Sequence, residues 1–390
     1  LGGLVEYKRG QSHTFGIRQQ AYRTKVKHWQ ETKTILDRLA ELTAAGQGAA
    51  IACVVRISGS AYRRPGARFL IAADGSTLGG ISGGCLEEDV RQTGLGVIET
   101  GECRMLHYET GNDDDAIWGL GLGCDGTVDI FIVPANNPGY PKVLNQLRKL
   151  LDGDSPFTVV TIMGDVSSSN GTELNKRIVV LETDPDQPKY TEMDEEFLAL
   201  ARAATNNGVS RTIEAKGMCA FVELFEPPPY LVICGASDDA IPMVRSAAGA
   251  GFRVVVLDHR PAYLAPERFP NAWRLIETFP GDDVEIPATT DTFVVLKTHN
   301  LTRDKEWAQR FLATPVPYLG LLGPQGRCEE IVKEVTEHDR KRVFGPVGLD
   351  LGAEGPEQVG LSVVSELLAV RSGRSPDHLK NRDAPIHDPA

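Results

Sequence analysis

The sequence predicts an α/β chain in two parts, an N-terminal α+β domain followed by a doubly wound parallel-sheet domain. Three observations carry this. Before Pro227-Pro228-Pro229, short apolar runs with turn signals between them read mostly as strands, with helices alongside. The three prolines form a stiff break, the best domain boundary in the chain. After them strand and helix alternate, beginning with Tyr230–Cys234, a glycine turn, a helix through Val244, Ala247 and Ala248, and the strand Arg253–Leu257 ending in Asp258. The divisions expected are a loose leader over 1–27, the α+β domain over 28–226, the parallel-sheet domain over 230–372 and a loose polar tail over 373–390.

In the first part, Trp29, Ile35, Leu36, Leu39 and Leu42 make one apolar helix face that ends near Gly46–Gly48. Ala49–Ile57 is a buried strand. A loop with Arg63, Arg64 and Arg68 follows, able to clamp phosphate or carboxylate or simply to be solvated. Phe69–Ala72 and Thr77–Ile81 form a hairpin around Asp74-Gly75. It leads into Ser82-Gly83-Gly84-Cys85-Leu86-Glu87. Leu86, Val90 and Val97 recur at helical spacing, which places Cys85 in the first turn of a helix, near unpaired backbone N–H groups. Glu87, Glu88 and Asp89 bring negative charge to the same turn. The residues offer a positioned thiol, and a packed structural cysteine is the competing reading.

Arg104–Tyr108 is a short strand, and a second glycine-rich segment, 111–126, holds Cys124 and feeds the strand Thr127–Val133. Leu144, Leu147 and Leu151 form the next helix face. Phe157–Met163 pairs with Arg177–Leu181, an acidic helix covers 193–204, and Gly217–Phe225 is a strand.

The turn after Tyr230–Cys234 is the entry of a Rossmann-like unit. Its fingerprint is incomplete: Gly235-x-Ser237-x-x-Ala240 carries serine where a glycine lets a pyrophosphate approach, and Asp238 and Asp239 add like charge there. Asp258 lies at the distance suited to a ribose hydroxyl. The fold signal is strong and the NAD(P) signal weak. Further strands at Thr292–Leu296 and Pro317–Leu322 bring His299 and the turn at Gly323 to the carboxyl edge where such sheets bind ligands. His299 reads either as a hydrogen-bonding structural residue or as a catalytic one. The last helix is expected to bury Leu361, Val364, Leu367 and Leu368.

Net charge is −12, which gives nucleic-acid binding no electrostatic support. The 7 cysteines are scattered without CxxC or zinc-like spacing, which fits a reducing cytoplasm. No apolar run approaches the roughly 20 residues of a membrane span, and no signal-peptide pattern is visible at the start.

These segments together resemble the XdhC/CoxI family of xanthine dehydrogenase accessory factors. The resemblance is carried by Val54–Arg68, Ile81–Glu87, Gly119–Gly126, Val232–Ala240, Asp258-His-Arg-Pro261, Thr298-His-Asn300, Tyr318–Gly323 and Gly345–Gly352, and runs over about 28–372. It implies an XdhC/CoxI-type first domain and a maturation factor, a chaperone rather than an enzyme. Such a factor binds molybdenum cofactor, assists its sulfuration with a partner sulfurtransferase, delivers it to an apo molybdenum hydroxylase, and tends to form homodimers. The chain departs from the family's usual Gly-Ala-Gly-His turn with Gly235-Ala-Ser-Asp238. A pterin dithiolene with a terminal phosphate calls for backbone donors, cations and a soft ligand. On this reading Arg68, Ser82, Gly83, Gly84, Cys85, Glu87, Cys124, Gly235, Ser237, Asp258, His299 and Gly323 are the candidate cofactor-binding residues, with Cys85 and Cys124 as molybdenum ligands. The alternative is an NAD(P)-dependent oxidoreductase using the second domain.

Overall fold

A computed structural model describes residues 22–23, 27–59, 62–110, 126–135, 140–165, 178–182, 197, 199–201, 203, 209–215, 218–333 and 335–381. Cys124 and the rest of 111–125 lie outside them. In chain order the first part holds β1 (Tyr22–Arg23), α1 (Lys27–Ala44), β2 (Ala49–Gly59), β3 (Arg68–Ala72), β4 (Thr77–Gly79), α2 (Glu87–Thr100), β5 (Arg104–Thr110) and β6 (Gly126–Pro134). It continues with α3 (Tyr140–Asp152), β7 (Phe157–Asp165), β8 (Ile178–Glu182), β9 (Val209–Ala215) and β10 (Met218–Phe225). The second part holds β11 (Tyr230–Cys234), α4 (Ala240–Gly249), β12 (Arg253–Asp258), β13 (Arg274–Glu277), β14 (Thr292–Leu296), α5 (Leu301–Leu312), β15 (Tyr318–Leu321), α6 (Gln325–Val332), α7 (Glu337–Arg340), β16 (Val343–Phe344) and α8 (Gly355–Ser372).

The first part contains two antiparallel sheets, ordered β4-β3-β2-β6-β5 and β1-β9-β10-β7-β8. Alternation along β2 sends Ala50, Ala52 and Val54 toward Val90 and Val97 of α2, and Ile51 and Val55 toward α1, α3 and the second sheet. Trp29, Phe157 and Phe225 meet in that second core, with the Phe157 and Phe225 rings stacked at 4.8 Å.

The second part is one parallel sheet ordered β13-β12-β11-β14-β15-β16. Its central strands are buried on both faces, as continuous apolar runs require. Sequence order reverses between β11 and β14, so the crevice at their carboxyl ends is the topological switch point. Val363, Val364 and Leu367 bury the inner face of α8. Leu361 and Leu368 do not join them: at 56% and 44% exposure they face solvent, because the buried stripe passes through Gly360, which packs against the backbone of Met243 in α4.

The two parts touch at the amino edge of the parallel sheet. Arg253 pairs with Asp154 and donates to the Gly153 carbonyl at 2.9 Å, while Tyr230 donates to Asp154 at 2.7 Å. No helix among the described residues is long and apolar enough to cross a membrane.

Candidate functional site

The Ser82–Glu87 loop is organised by its own carboxylate. Glu87 accepts hydrogen bonds from the backbone N–H of Ile81 (3.1 Å), Ser82 (2.9 Å) and Gly84 (3.1 Å), and from the Ser82 hydroxyl. The Ser82 Oγ in turn accepts from the N–H groups of Gly84 (3.2 Å) and Leu86 (3.1 Å). Gly84 takes φ +112°, which a side chain disfavours. Burial works against the Glu87 charge, yet the bonds from Ser82 and Ile81 outweigh it and hold the carboxyl below the usual range. The cradle of backbone donors expected to face a phosphate is therefore filled from within.

Cys85 stands between these donors and the core. Helix α2 begins at Glu87 with Leu86 as its N-cap, so Cys85 lies before the helix rather than in its first turn. Its thiol is half-buried, free, and packed against the Ile71–Val90–Val97 core. Tyr62, 76% exposed, lies across the loop near Gly83.

The arginine loop is committed elsewhere. Arg68 forms a two-pronged ion pair with the buried Glu223, donates to Thr32 at 3.0 Å, and lies over the Phe225 ring. It extends from β3 on the same face as Leu70, whereas Cys85 packs with Phe69 and Ile71 on the other. Arg63 pairs with Glu31 of α1 at 2.5 Å.

At the switch point the structure brings Gly235, Ser237, Asp258 and His299 together. Gly235 has φ +120°, and a Cβ there would meet the Lys297 carbonyl oxygen at 2.4 Å, so only glycine lets β11 and β14 close at this end. Asp258, 2% exposed at its side chain, caps the turn by accepting from the Ala236 N–H at 2.8 Å, and it forms a two-pronged pair with Arg260. Burial opposes its charge, but Arg260 and the backbone donors bring its pKa down to about 2. A ribose hydroxyl would have to displace these partners.

Lys297 completes the arrangement. It donates to Ser237 Oγ at 2.9 Å and to Asp239 at 2.7 Å, and its side chain is 0% exposed. Burial pushes its ammonium down from the ordinary lysine value, and Asp239 opposes that shift. Asp239 is also 3.3 Å from His299, which holds φ +58°, the only positive φ outside glycine among the described residues. Gly323 lies one strand further on. There Arg327 packs against it and pairs with Asp304 at 2.6 Å, and Asp304 accepts from Thr298.

The amino-edge contact between the two parts leaves this carboxyl edge a full strand length away, on the order of 17 Å for five residues. No hydrogen bond or ion pair among the described residues links the Ser82–Glu87 loop to the switch point. Lys297 and Glu223 were missed in the sequence. The available signal was a charge interrupting an apolar run, Thr-Phe-Val-Val-Leu-Lys297 and Ala-Phe-Val-Glu223.

Residues 231–367 match the model of the XdhC Rossmann domain, and residues 42–109 match that of the XdhC and CoxI family. The chain is 31% identical over 345 residues to a Bacillus subtilis protein described as a probable xanthine dehydrogenase subunit, covering 87% of this chain and 97% of that protein. It is 24% identical over 351 residues to the molybdenum cofactor insertion chaperone PaoD of Escherichia coli, covering 88% and 90%. A crystal structure described as a xanthine dehydrogenase from Bacillus halodurans superposes with a TM-score of 0.66 at 28% identity, over 87% of this chain and 96% of that one.

Proposed function

The chain belongs to the XdhC and CoxI family, and on that premise we propose that it is a maturation factor for a molybdenum hydroxylase of the xanthine dehydrogenase type. It binds molybdenum cofactor as cargo, holds it during sulfuration by a partner sulfurtransferase, and delivers it to the apo-enzyme. The observation that carries this is the likeness to a molybdenum cofactor insertion chaperone across 88% of the chain. The working unit is a homodimer in the cytoplasm.

Cys85 supports the reading. A half-buried thiol in a loop fixed by Glu87 can place or coordinate a soft metal without acting as a nucleophile. Ser82, Gly83, Gly84 and Glu87 shape that loop, and Cys124 is its proposed companion. The Arg68 guanidinium, tied to Glu223, supports the scaffold beneath rather than the cargo. In the second domain, Asp258 held by Arg260 and Asp239 held by Lys297 stand where a dinucleotide needs open partners, which disfavours the NAD(P)-oxidoreductase reading.

The test is purification from a host that makes the cofactor, oxidation, and assay for the fluorescent pterin product, followed by calorimetric titration of NAD(H) and NADP(H). Bound pterin without nucleotide affinity supports the proposal. Nucleotide binding with dehydrogenase turnover and no pterin contradicts it.

A further inference from the structure

Beside Asp258, at the carboxyl ends of β11 to β14, lies a cleft that the Asp239–Lys297 pair does not fill. Gly235, His259, Arg260, Phe279, Thr298 and Arg303 line it. Phe279, just past β13, is the only exposed phenylalanine among the described residues, at 48%. Its ring lies 5.2 Å from the His259 ring and 5.9 Å from the Arg303 guanidinium. Among the described residues Arg303 forms no ion pair, although it is half-buried in the first turn of α5. Arg260 adds a second guanidinium that is 39% exposed.

The cleft is therefore cationic. Two arginines and one carboxylate line it, and that carboxylate, Asp258, is buried and already accepts from Ala236 and Arg260. The neighbouring Asp282 accepts from the Phe279 N–H, and Asp304 is engaged by Thr298 and Arg327. His259 reports the same field: burial and the nearby Arg303 push its imidazole below the ordinary histidine value, against the pull of Asp258. An aromatic shelf beside two arginines recognises a flat π-system bearing an anion. A pyrophosphate running on toward the Gly235 turn would meet Asp239 instead, held in place by the buried Lys297.

We propose that this cleft binds a planar fused heterocycle carrying a single phosphate, with the ring stacked on Phe279 and the phosphate held by Arg303 and Arg260. A pterin monophosphate and a purine mononucleotide share that chemistry. The pterin source rests on the carrier reading above; the site itself does not.

The experiment is calorimetry on the full chain with neopterin monophosphate, GMP, inorganic phosphate and NAD+, repeated on Phe279→Leu and Arg303→Met. Both substitutions fall at partly exposed positions, and circular dichroism checks the fold. At least one monophosphate binds, and the tighter of the two names the source. Each variant weakens it about fivefold or more, the worth of a base on an aromatic ring for Phe279→Leu and of a charge-assisted hydrogen bond to phosphate for Arg303→Met. Inorganic phosphate and NAD+ bind at least about tenfold more weakly. The proposal is overturned if neither monophosphate binds at ~5 mM, if NAD+ binds as tightly, or if both variants bind like the parent. Co-purified pterin is scored separately. Pterin carried equally by parent and Phe279→Leu, with no monophosphate binding, removes this site and leaves the carrier reading. Monophosphate binding without co-purified pterin does the reverse.

Discussion

Replacing Glu87 with alanine removes the anion around which the Ser82–Glu87 loop is built. Three backbone N–H groups and one hydroxyl lose their acceptor together. A hydrogen bond to a charged group contributes about 1.5–3 kcal/mol where water cannot replace it. Gly84 is exposed and its N–H rehydrates, whereas the Ile81 side, 2% exposed, does not. The net local cost is then about 2–4 kcal/mol. That is enough to raise the opening of this loop about 30- to 800-fold without unfolding the β2–β3 core. Amide exchange at Ser82 and Gly84, and alkylation of Cys85 by iodoacetamide, read this opening directly. Both rates rise in Glu87→Ala, while Glu87→Gln, which keeps one acceptor oxygen, falls between. Acid should act in the same direction. Because the folded carboxyl is held below its unfolded value, its contribution is complete above the ordinary glutamate range and is lost as pH falls through the folded value. Unchanged exchange at Ser82 and Gly84 in Glu87→Ala would refute the claim that the internal anion orders the loop.

Other perturbations test the scaffold. Glu223→Gln leaves Arg68 buried without its counter-charge and should cost about 3–5 kcal/mol in urea unfolding, whereas a paired apolar replacement of both residues should cost much less. Equal losses from the single and paired changes would show that the pair is not the source. Gly235→Ala forces a Cβ against the Lys297 carbonyl and should lower stability by about 3 kcal/mol or more, seen as a lower melting temperature confined to the second domain. An unshifted melting temperature would mean that the β11–β14 turn relaxes freely. Asp258, depressed to about 2, contributes stability that is present above the ordinary aspartate value and is lost only as pH falls toward about 2. Asp258→Asn should flatten that part of the acid-unfolding profile, and an unaltered profile would argue against the Ala236 cap.

Much of this architecture is written locally. The continuous apolar runs of β11, β12 and β14 allowed no burial pattern but a two-sided parallel sheet, and Asp74-Gly75 marked the β3–β4 hairpin. The Ser82–Glu87 motif stood out because its glycines and its acid fall within a few residues of one another. Long-range partners were not legible in that way. Nothing near Arg68 announces Glu223, 155 residues away, so a guanidinium assigned to the cargo proved to be tied inside the scaffold. Helical spacing alone also placed Leu361 and Leu368 in a core, and the close packing of Gly360 on α4 turned them outward. Asp258 matched the ribose position by distance, but its burial and its bond to Ala236 depend on the turn it caps.

Whether the chain carries a pterin decides its role. The most direct measurement is the pterin released, per mole of chain, from protein purified out of a cofactor-making host, compared between the parent and Cys85→Ser. Fluorescent pterin is expected in the parent, with at least about a tenfold loss in the variant, since altering even the residues that support a metal's ligands costs about that much. Parent protein that carries no pterin, or a variant that carries as much, would contradict the proposed role.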